Sequence, residues 1–242
     1  MEWTDEGIVL GVRRHGEAHT LAELMTARHG RHLGLVRGGI SSKLRPILQP
    51  GNGVRAVWRA RLDQHLGAFT IEGTHFRADR LMLSATASYG IQTIAALVRL
   101  LPERDPHRDI YDALVEIADQ LHEPDTAAAL IVRFELMLLA ELGFGLDLSE
   151  CAGNGTSEEL VYVSPKSGRA ISREAGEPWK DQLLALPAFL LQDCGHSAAD
   201  ITAGFTLTGF FLARHVFEPR GIEMPEARAA LIATVARGAI AA

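Results

Sequence analysis

Arginine and lysine side chains are concentrated near the start of the sequence, and cationic groups of this kind bind phosphate. Between Arg13 and Arg61 there are ten Lys and Arg residues but only two acids, Glu17 and Glu23. Because neutralising phosphates releases the counterions that surround a nucleic acid, such a stripe is typical of a nucleic-acid-binding surface. The candidate contacts are all of its cations: Arg13, Arg14, Arg28, Arg31, Arg37, Lys43, Arg45, Arg55, Arg59 and Arg61.

The net charge of the whole chain, −6, argues against nucleic-acid binding when it is taken alone. The average conceals a division, because residues 1–80 contain twelve Lys and Arg against eight Asp and Glu, whereas residues 81–242 carry a net charge of −10. Arginines on the outer face of one strand are often only solvated surface. Here they recur on several consecutive elements, which favours single-stranded nucleic acid as the ligand over that simpler interpretation.

Short β-type segments separated by glycine must position these cations, and together they predict a small five-stranded barrel. The predicted strands are Gly7–Val12, His19–Met25, Leu33–Val36, Val54–Leu62 and Phe69–Phe76. The fourth is the clearest, because residues for the core alternate with mostly cationic ones. Its inward set is Val54, Ala56, Trp58, Ala60 and Leu62, and its outward set is Arg55, Val57, Arg59, Arg61 and Asp63. The loop Gly39–Pro46 contains no acid and can approach phosphates closely.

Helical spacing replaces strand spacing after Asp79, with apolar residues three or four apart from Ile91 to Leu101. Glycines interrupt this pattern between about residues 144 and 178, where two short extended segments predict an inserted β-hairpin. The predicted class is α+β, with a barrel over 1–80 and an all-helical domain with the hairpin insert over 81–242. The further helices are predicted at Ile110–Leu121, Pro124–Leu142, Trp179–Gln192, Ala199–Phe217 and Pro225–Arg237.

The common catalytic signatures are missing from the sequence. There is no phosphate-binding Gly-x-x-x-x-Gly-Lys-Ser/Thr loop, no Gly-x-Gly-x-x-Gly opening a helix, no His-Glu-x-x-His and no Gly-x-Ser-x-Gly elbow. His29 and His32 could form half of a metal site, but no third or fourth ligand can be nominated, and Cys194 with His196 is similar. The sequence therefore predicts a protein that is not an enzyme and that needs no cofactor.

Aromatic rings that could stack on bases are scarce in the predicted barrel. Trp58 belongs to the apolar face and is predicted to be core. His15, His29 and His32 would therefore have to stack on bases, or binding must depend on phosphates. We expect steep salt dependence and little sequence preference.

The remaining composition favours a reduced, cytoplasmic protein. Cys151 and Cys194 form neither a disulfide framework nor a paired metal motif. No apolar block is long enough to predict a membrane span. The acidic start, with Glu2, Asp5 and Glu6, does not predict a secretory signal.

Several segments resemble those of the RecO recombination mediator family, and the likeness spans nearly the whole chain. Near the start it rests on Trp3–Leu10, Gly16–Glu17, Thr26–Gly30, Leu35–Gly39 and Leu48–Gly51. Later it rests on Phe134-Glu135-x-x-Leu138-Leu139-x-x-Leu142-Gly143, Val163–Ala170 and Met224-Pro225-x-x-Arg228.

The resemblance implies an N-terminal oligonucleotide-binding (OB) barrel, a helical C-terminal domain and a role in recombinational repair at the bacterial nucleoid. It implies binding of single- and double-stranded DNA, annealing of complementary strands and, with RecR, loading of RecA onto strands coated by single-strand-binding protein (SSB). By the same likeness the ten cations above are the DNA contacts.

Two further implications concern metal and partners. Many members carry a four-cysteine zinc knuckle in the insert, but here Cys151 stands alone, so we expect a metal-free hairpin held by packing of Val161, Val163 and Ile171. The acidic SSB tail should dock on an apolar pocket rimmed by cations, for which the candidates are Arg104, Arg108, Arg133 and Arg214. Arg133 can instead satisfy Glu135 or a neighbouring helix.

Two other functions stay open. In one, the chain is a protein-interaction adaptor whose acidic helical domain is the working part and whose barrel is a scaffold. In the other it is a nuclease, which needs clustered carboxylates for metal ions. Acids in the barrel region, such as Glu17, Glu23, Asp63 and Glu72, are scattered, which argues against a nuclease.

Overall fold

The structure, a computed structural model, describes residues 1–62 and 64–241. Its strands are β1 (Glu2–His15), β2 (His19–Thr26), β3 (Gly30–Val36), β4 (Gly53–Arg59), β5 (Ala68–His75), β6 (Leu160–Val163), β7 (Ala170–Ser172) and β8 (Leu184–Ala185). Its α-helices are α1 (Ala78–Met82), α2 (Ala85–Val98), α3 (Arg108–Gln120), α4 (Pro124–Glu141), α5 (Arg173–Gly176), α6 (Ala198–Leu212), α7 (Glu218–Arg220) and α8 (Glu226–Ala241).

The first five strands close into a barrel with the order β1-β2-β3-β5-β4. Strand β1 is longer than predicted because it serves two neighbours. Its first half pairs with β4 from Glu2 to Ile8, and its second half pairs with β2 from Gly7 to His15. Strands β3 and β5 run parallel, and the other pairs are antiparallel. A five-stranded OB-type barrel followed by a helical region confirms the predicted α+β class.

The barrel core follows the two-residue alternation of its strands. Val54, Ala56 and Trp58 of β4 have no exposed surface, so the prediction that Trp58 is a core residue is confirmed. Its indole Nε1 donates a hydrogen bond to the carbonyl of Leu66 at 3.1 Å. A buried indole with a satisfied N–H contributes its full apolar area to the core.

The predicted fourth strand is too long at its end. Strand β4 ends at Arg59, and Leu62, predicted to face the core, is 54% exposed. The alternation continues in the sequence, but the backbone leaves the sheet before it reaches Leu62, so the pattern no longer has a core to face. Asp63 lies outside the described residues. At the next strand the prediction is one residue too long, because Phe76 follows β5 and is 58% exposed.

The chain divides into two compact units, one ending at Ala127 and the other beginning at Ala128. The first unit holds α1, α2 and α3 together with the barrel, and the predicted domain boundary at residue 80 stays a prediction. Within this unit the buried guanidinium of Arg77 binds both carboxylate oxygens of Asp119 in α3, at 2.6 and 2.9 Å. The hydrogen bond from Arg77 holds the pKa of Asp119 below its usual value. This bidentate pair fixes α3 to the end of β5.

In the second unit a buried ion pair joins α4, α6 and α8. Arg228 donates to both carboxylate oxygens of Glu135, at 2.7 and 2.9 Å, and to the carbonyl of Phe205 at 2.8 Å. The hydroxyl of Thr208 also donates to Glu135. Glu135 and Arg228 come from two of the segments that carry the family resemblance. Within the described residues, no helix has both the length and the apolar composition to cross a membrane.

The insert is a three-stranded sheet rather than the predicted two-stranded hairpin, because β8 pairs with the free edge of β6. The predicted helix Trp179–Gln192 is wrong. That stretch contains β8 between two 3₁₀ helices, Glu177–Gln182 and Ala188–Leu190. Pro187 explains the difference, since a proline inside a helix removes a hydrogen bond and clashes with the preceding turn.

Candidate nucleic-acid interface

The segment between β3 and β4, residues 37–52 and here named the β3–β4 loop, is held firmly against the barrel. Leu48 is 2% exposed and packs in the barrel core. Its backbone N–H donates to the carbonyl of Leu44 at 2.9 Å, and the N–H of Arg45 donates to the carbonyl of Ser41 at 2.9 Å. These helical-type turns fix the backbone that carries Lys43 and Arg45.

The side chain of Asn52 fixes the C-terminal end of the β3–β4 loop by hydrogen bonds to the backbone around it. Its buried side-chain amide donates to the carbonyls of Pro46 and Ile47 at 2.9 and 3.1 Å. Its carbonyl oxygen accepts from the N–H groups of Arg77 and Ala78 at 2.8 and 3.0 Å. One side chain therefore satisfies four backbone groups, and the loop is preorganised before any ligand arrives.

A groove of about 360 Å³, here named the first groove, lies between the β3–β4 loop and the far end of β1. Arg14 of β1 and Arg45 of the loop both line it. Its apolar lining includes Val12 and Ile40, which are 38% and 45% exposed. Two guanidinium groups beside exposed apolar surface suit a nucleotide, which has a phosphate and a flat aromatic base whose face can pack on that surface.

A second groove of about 460 Å³ lies on the β3, β4 and β5 side of the same loop. Arg37 and Arg59 supply its charge, and Leu44 of the loop and Phe69 of β5 supply apolar surface. Arg59 also donates to the carboxylate of Glu2 at 2.8 Å, which lowers the pKa of Glu2. Both partners are more than half exposed, and an exposed pair of this kind is weak enough for a phosphate to replace the carboxylate.

Three cations of this loop have no acidic partner within the described part of the chain. No hydrogen bond or ion pair engages the side chains of Arg37, Lys43 and Arg45, and all three are exposed. Arg13 of β1 is also exposed and unpaired among the described residues, but it lines a different pocket, which contains Glu23 and Glu103. The β3–β4 loop itself contains no Asp or Glu. This end of the barrel therefore carries unneutralised positive charge.

Arg55 lies on the same outward face of β4 as Arg59 but lines neither groove, and strand pairing places acids on both sides of it. Its register partners are Glu6 on β1 and Glu72 on β5, and directly opposite residues share a face of the sheet. The outward face of β4 alternates as predicted, but acids on the two neighbouring strands lie opposite Arg55. Arg61 follows β4, is exposed and lines neither groove.

Arg28 and Arg31 are engaged within the first unit. Arg28 donates to Asp5 and to the carbonyl of Thr4, at 3.2 and 2.8 Å. Arg31 is largely buried and binds Glu23 and Glu103, at 2.9 and 3.4 Å.

The pKa of Asp5 reflects its hydrogen bonds with Arg28 and His29. Burial raises its pKa, but hydrogen bonds from His29 and Arg28 outweigh burial and hold the pKa below its usual value. Arg28 and Arg31 are thus both already engaged by carboxylates, although the side chain of Arg28 remains 67% exposed, and their role as DNA contacts stays a prediction.

The three histidines predicted to stack on bases differ in their access. His32 is 2% exposed and packs edge-on against Trp3 and Trp58, so the prediction is wrong for it. His29 already stacks on Trp3, with ring centroids 4.2 Å apart. His15 is exposed, at the β1–β2 hairpin beside Arg14.

The four arginines proposed for partner binding all make internal contacts. Arg104 donates to the carbonyl of His65, and Arg108 pairs with Asp112. Arg214 donates to the carbonyl of Pro165 at 3.0 Å. Arg133 donates twice to the carbonyl of Phe189, at 3.1 and 2.8 Å, in a 3₁₀ helix. Of the two internal partners predicted for Arg133, the structure therefore shows the neighbouring helix and not Glu135.

Cys151 is buried in the insert and is held by the backbone. Its sulfur accepts from the N–H groups of Gly153 and Ser172 at 3.3 and 3.2 Å. Burial raises the pKa of the thiol, but the hydrogen bonds from Ser172 and its neighbours lower it to about 7.

The chain has only one other cysteine, so its residues do not supply a four-cysteine site. The metal-free insert stays a prediction, which one equivalent of zinc in the purified protein would contradict. Val163 is fully buried there, whereas Val161 and Ile171 are only partly buried.

Sequence reasoning missed the apolar half of the interface. Val12 and Ile40 are the exposed hydrophobic residues of the first groove, and Leu44 lines the second. The signal was present for Ile40, which is an apolar residue in an acid-free, glycine-rich loop. Nothing in the strand pattern marked Val12 as exposed, because its outward position follows from a bulge between Val9 and Gly11.

Comparison with known proteins gives consistent matches along the chain. The family model described as "Recombination protein O N terminal" matches residues 1–75, and "Recombination protein O C terminal" matches residues 82–221. A protein of Rhodopseudomonas palustris strain BisB5 named "DNA repair protein RecO" is 59% identical over 241 residues, which cover 98% of this chain and 97% of that protein.

Two further relatives with the same name agree. The Mesorhizobium japonicum protein is 59% identical over 97% of this chain and 94% of its own length. The Afipia carboxidovorans protein is 57% identical over 99% of this chain and 98% of its own length. Both the matched families and the named relatives therefore extend over nearly all of the residues described above.

Proposed function

Because this chain belongs to the RecO family of DNA repair proteins, with a role in recombinational repair, we propose that its barrel binds single- and double-stranded DNA at the first groove and the β3–β4 loop. One observation carries the proposal. Arg14 and Arg45 line the same groove, and their guanidinium groups have no carboxylate partner among the described residues. Such a site favours a polyanion, and its preorganised backbone lowers the entropy lost on binding.

The proposed activity is annealing of complementary strands, and it requires no covalent step. Cations that neutralise the phosphates of two strands lower their mutual repulsion and allow the bases to pair. We therefore propose that the chain is not an enzyme. Metal-dependent cleavage of DNA by the pure protein would contradict this.

We further propose that the chain works with RecR and SSB to load RecA. The candidate contacts for the acidic SSB tail remain Arg104, Arg108, Arg133 and Arg214. Arg214 is the best of these, because it is exposed and lies 5.9 Å from the ring centroid of Phe210, which combines a cation with an aromatic surface. Replacing Arg214 by Ala should weaken binding of an SSB tail peptide without weakening binding of DNA.

The DNA proposal is tested by titrating a fluorescent single strand at several salt concentrations. The variant R14E/R45E should bind about 100-fold more weakly, at about 1.4 kcal/mol for each lost charge-assisted contact. Its log affinity should also depend less steeply on log salt, by about 1.4 units for two lost phosphate contacts.

The matched control is R55E/R61E, which reverses the same number of cations in the same barrel. Because Arg55 faces acids and Arg61 lies outside both grooves, this variant should lose less than about threefold in affinity, from long-range repulsion alone. Equal losses in the two variants would place DNA elsewhere on the barrel. Unchanged affinity in both, or no binding by the unaltered chain, would favour the adaptor function instead.

A further inference from the structure

The β3–β4 loop has a cationic groove on each side, and the two grooves match in construction. In the first, Arg14 and Arg45 flank the apolar side chain of Ile40. In the second, Arg37 and Arg59 flank Leu44. Each therefore combines two guanidinium groups with an apolar side chain of the loop.

The loop supplies one arginine and one apolar residue to each side. Ile40 and Arg45 line the first groove, whereas Arg37 and Leu44 line the second. Lys43, between Ile40 and Leu44 in sequence, is exposed and has no carboxylate partner in the described ranges. The loop is thus a ridge with cations along it, anchored underneath by Leu48 and Asn52.

We propose that the two grooves hold two single DNA strands at the same time, one on each side of the β3–β4 loop. The inference rests on the proposed DNA binding and extends it, because it assigns the second groove to a second strand. Strands that share one cationic ridge are screened from each other by the same charges, which lowers the cost of bringing them together. A single barrel can then present both strands for pairing.

The first groove should bind a strand more tightly than the second groove does. Arg14 donates only to the carbonyl of Gly16, and the side chain of Arg45 makes no hydrogen bond or ion pair with the described residues. In the second groove, a phosphate must displace the Glu2 carboxylate from Arg59. The second strand should therefore bind more weakly, and raising salt should remove it first.

Native mass spectrometry of the full chain with an oligothymidylate tests the proposal directly. The probe has about 20 nucleotides, more than the roughly 4 to 16 that one OB barrel covers, and it cannot pair with itself. The unaltered chain should bind two strands, and R14E/R45E and R37E/R59E should each bind one. The control R80E/K166E, which reverses two exposed cations outside both grooves, should still bind two. Thermal unfolding curves confirm that each variant is folded.

The outcomes separate this inference from the DNA-binding proposal. If the unaltered chain binds a single strand that both groove variants weaken, one continuous path crosses the loop and the two-strand inference is wrong, while DNA binding at the loop stands. If R37E/R59E still binds two strands, the second groove is not the second site. If the unaltered chain binds no strand, both proposals fail.

Discussion

The β3–β4 loop and the buried junction of α4, α6 and α8 both depend on arginine, and they use it in opposite ways. At the loop, Arg45 is exposed and has no acidic partner in the described part of the chain. At the junction, the side chain of Arg228 is 7% exposed and binds a carboxylate that has no exposed surface. The same guanidinium group is therefore exposed and unpaired at the loop, where we propose that it binds DNA, and it serves internal structure at the junction.

Burial and the presence of a carboxylate decide between these two roles. A buried guanidinium without its carboxylate is strongly destabilising, so Arg228 and Glu135 depend on each other. An exposed guanidinium costs little when unpaired, since water solvates it, and it remains available to a phosphate. We expect changes at the junction to alter stability and changes at the loop to alter DNA affinity.

The largest effect should come from Arg228→Ala. This change leaves the Glu135 carboxylate buried without its cation, and it should lower the free energy of unfolding by about 3 to 5 kcal/mol, measured by urea denaturation. DNA affinity should stay unchanged at temperatures where the variant is folded.

Two controls sharpen this prediction. Arg237→Ala removes an exposed arginine of the same helix and should change stability by less than about 0.5 kcal/mol. The double replacement E135L/R228M removes both charges and should cost less than either single change. A double variant as unstable as the sum of the two single ones would show that the two side chains contribute independently and would contradict their mutual dependence.

The next largest effect should come from Asn52→Ala, which removes the hydrogen bonds that fix the β3–β4 loop to the barrel. The change leaves four backbone groups without the Asn52 amide, and at about 0.5 to 1.5 kcal/mol each it should cost roughly 3 kcal/mol of stability. Because the loop is then no longer fixed, DNA affinity should fall as well.

The control for this change is Gln49→Ala, which removes a single hydrogen bond to the carbonyl of Arg45. It should leave stability nearly unaltered. Asn52→Ala with full DNA affinity would show that the cations need no preorganised loop.

Much of the fold could be predicted from the sequence, because period-two alternation and helical spacing record which face of each element meets the core. The barrel strands and the long helices follow from that signal. The periodic signal failed at Leu62, where the chain direction depends on tertiary contacts. It also failed over residues 179–192, where Pro187 prevents a continuous helix. The basic stripe was visible in the composition, but the composition did not show which of its cations lie beside acids and which lie apart from them. Sequence does not show that Arg55 lies between Glu6 and Glu72, or that Glu23 and Glu103 bind Arg31, because these acids are brought near by strand pairing and by the folding of distant segments.

A smaller effect should come from Asp5→Asn, which tests whether Arg28 is structural. The neutral amide loses charge-assisted hydrogen bonds from His29 and Arg28, so the free energy of unfolding at neutral pH should fall by about 1.5 kcal/mol. The pKa of Asp5 is lowered in the folded chain. Its stabilising contribution is therefore complete above the unfolded pKa of about 3.9 and is lost as pH falls through the lower folded value.

Urea denaturation of both proteins between neutral and acidic pH measures this difference. The gap in stability between the unaltered chain and the variant should close as the solution becomes acidic. A gap that is constant with pH would mean that the carboxylate charge is not what holds Arg28.

The smallest effect should come from E6Q/E72Q, which removes the two acids that flank Arg55 in the sheet register. If these acids close that face to DNA, the variant should gain affinity for a single strand by no more than about threefold, because only long-range repulsion is relieved. Titration at two salt concentrations measures the gain, and adding R55E, which restores two units of negative charge at the same place, should cancel most of it. A gain comparable with the loss in R14E/R45E would mean that DNA contacts the Arg55 face directly. The barrel would then bind DNA on both surfaces, and the acids on β1 and β5 would set the affinity of the protein rather than exclude a strand.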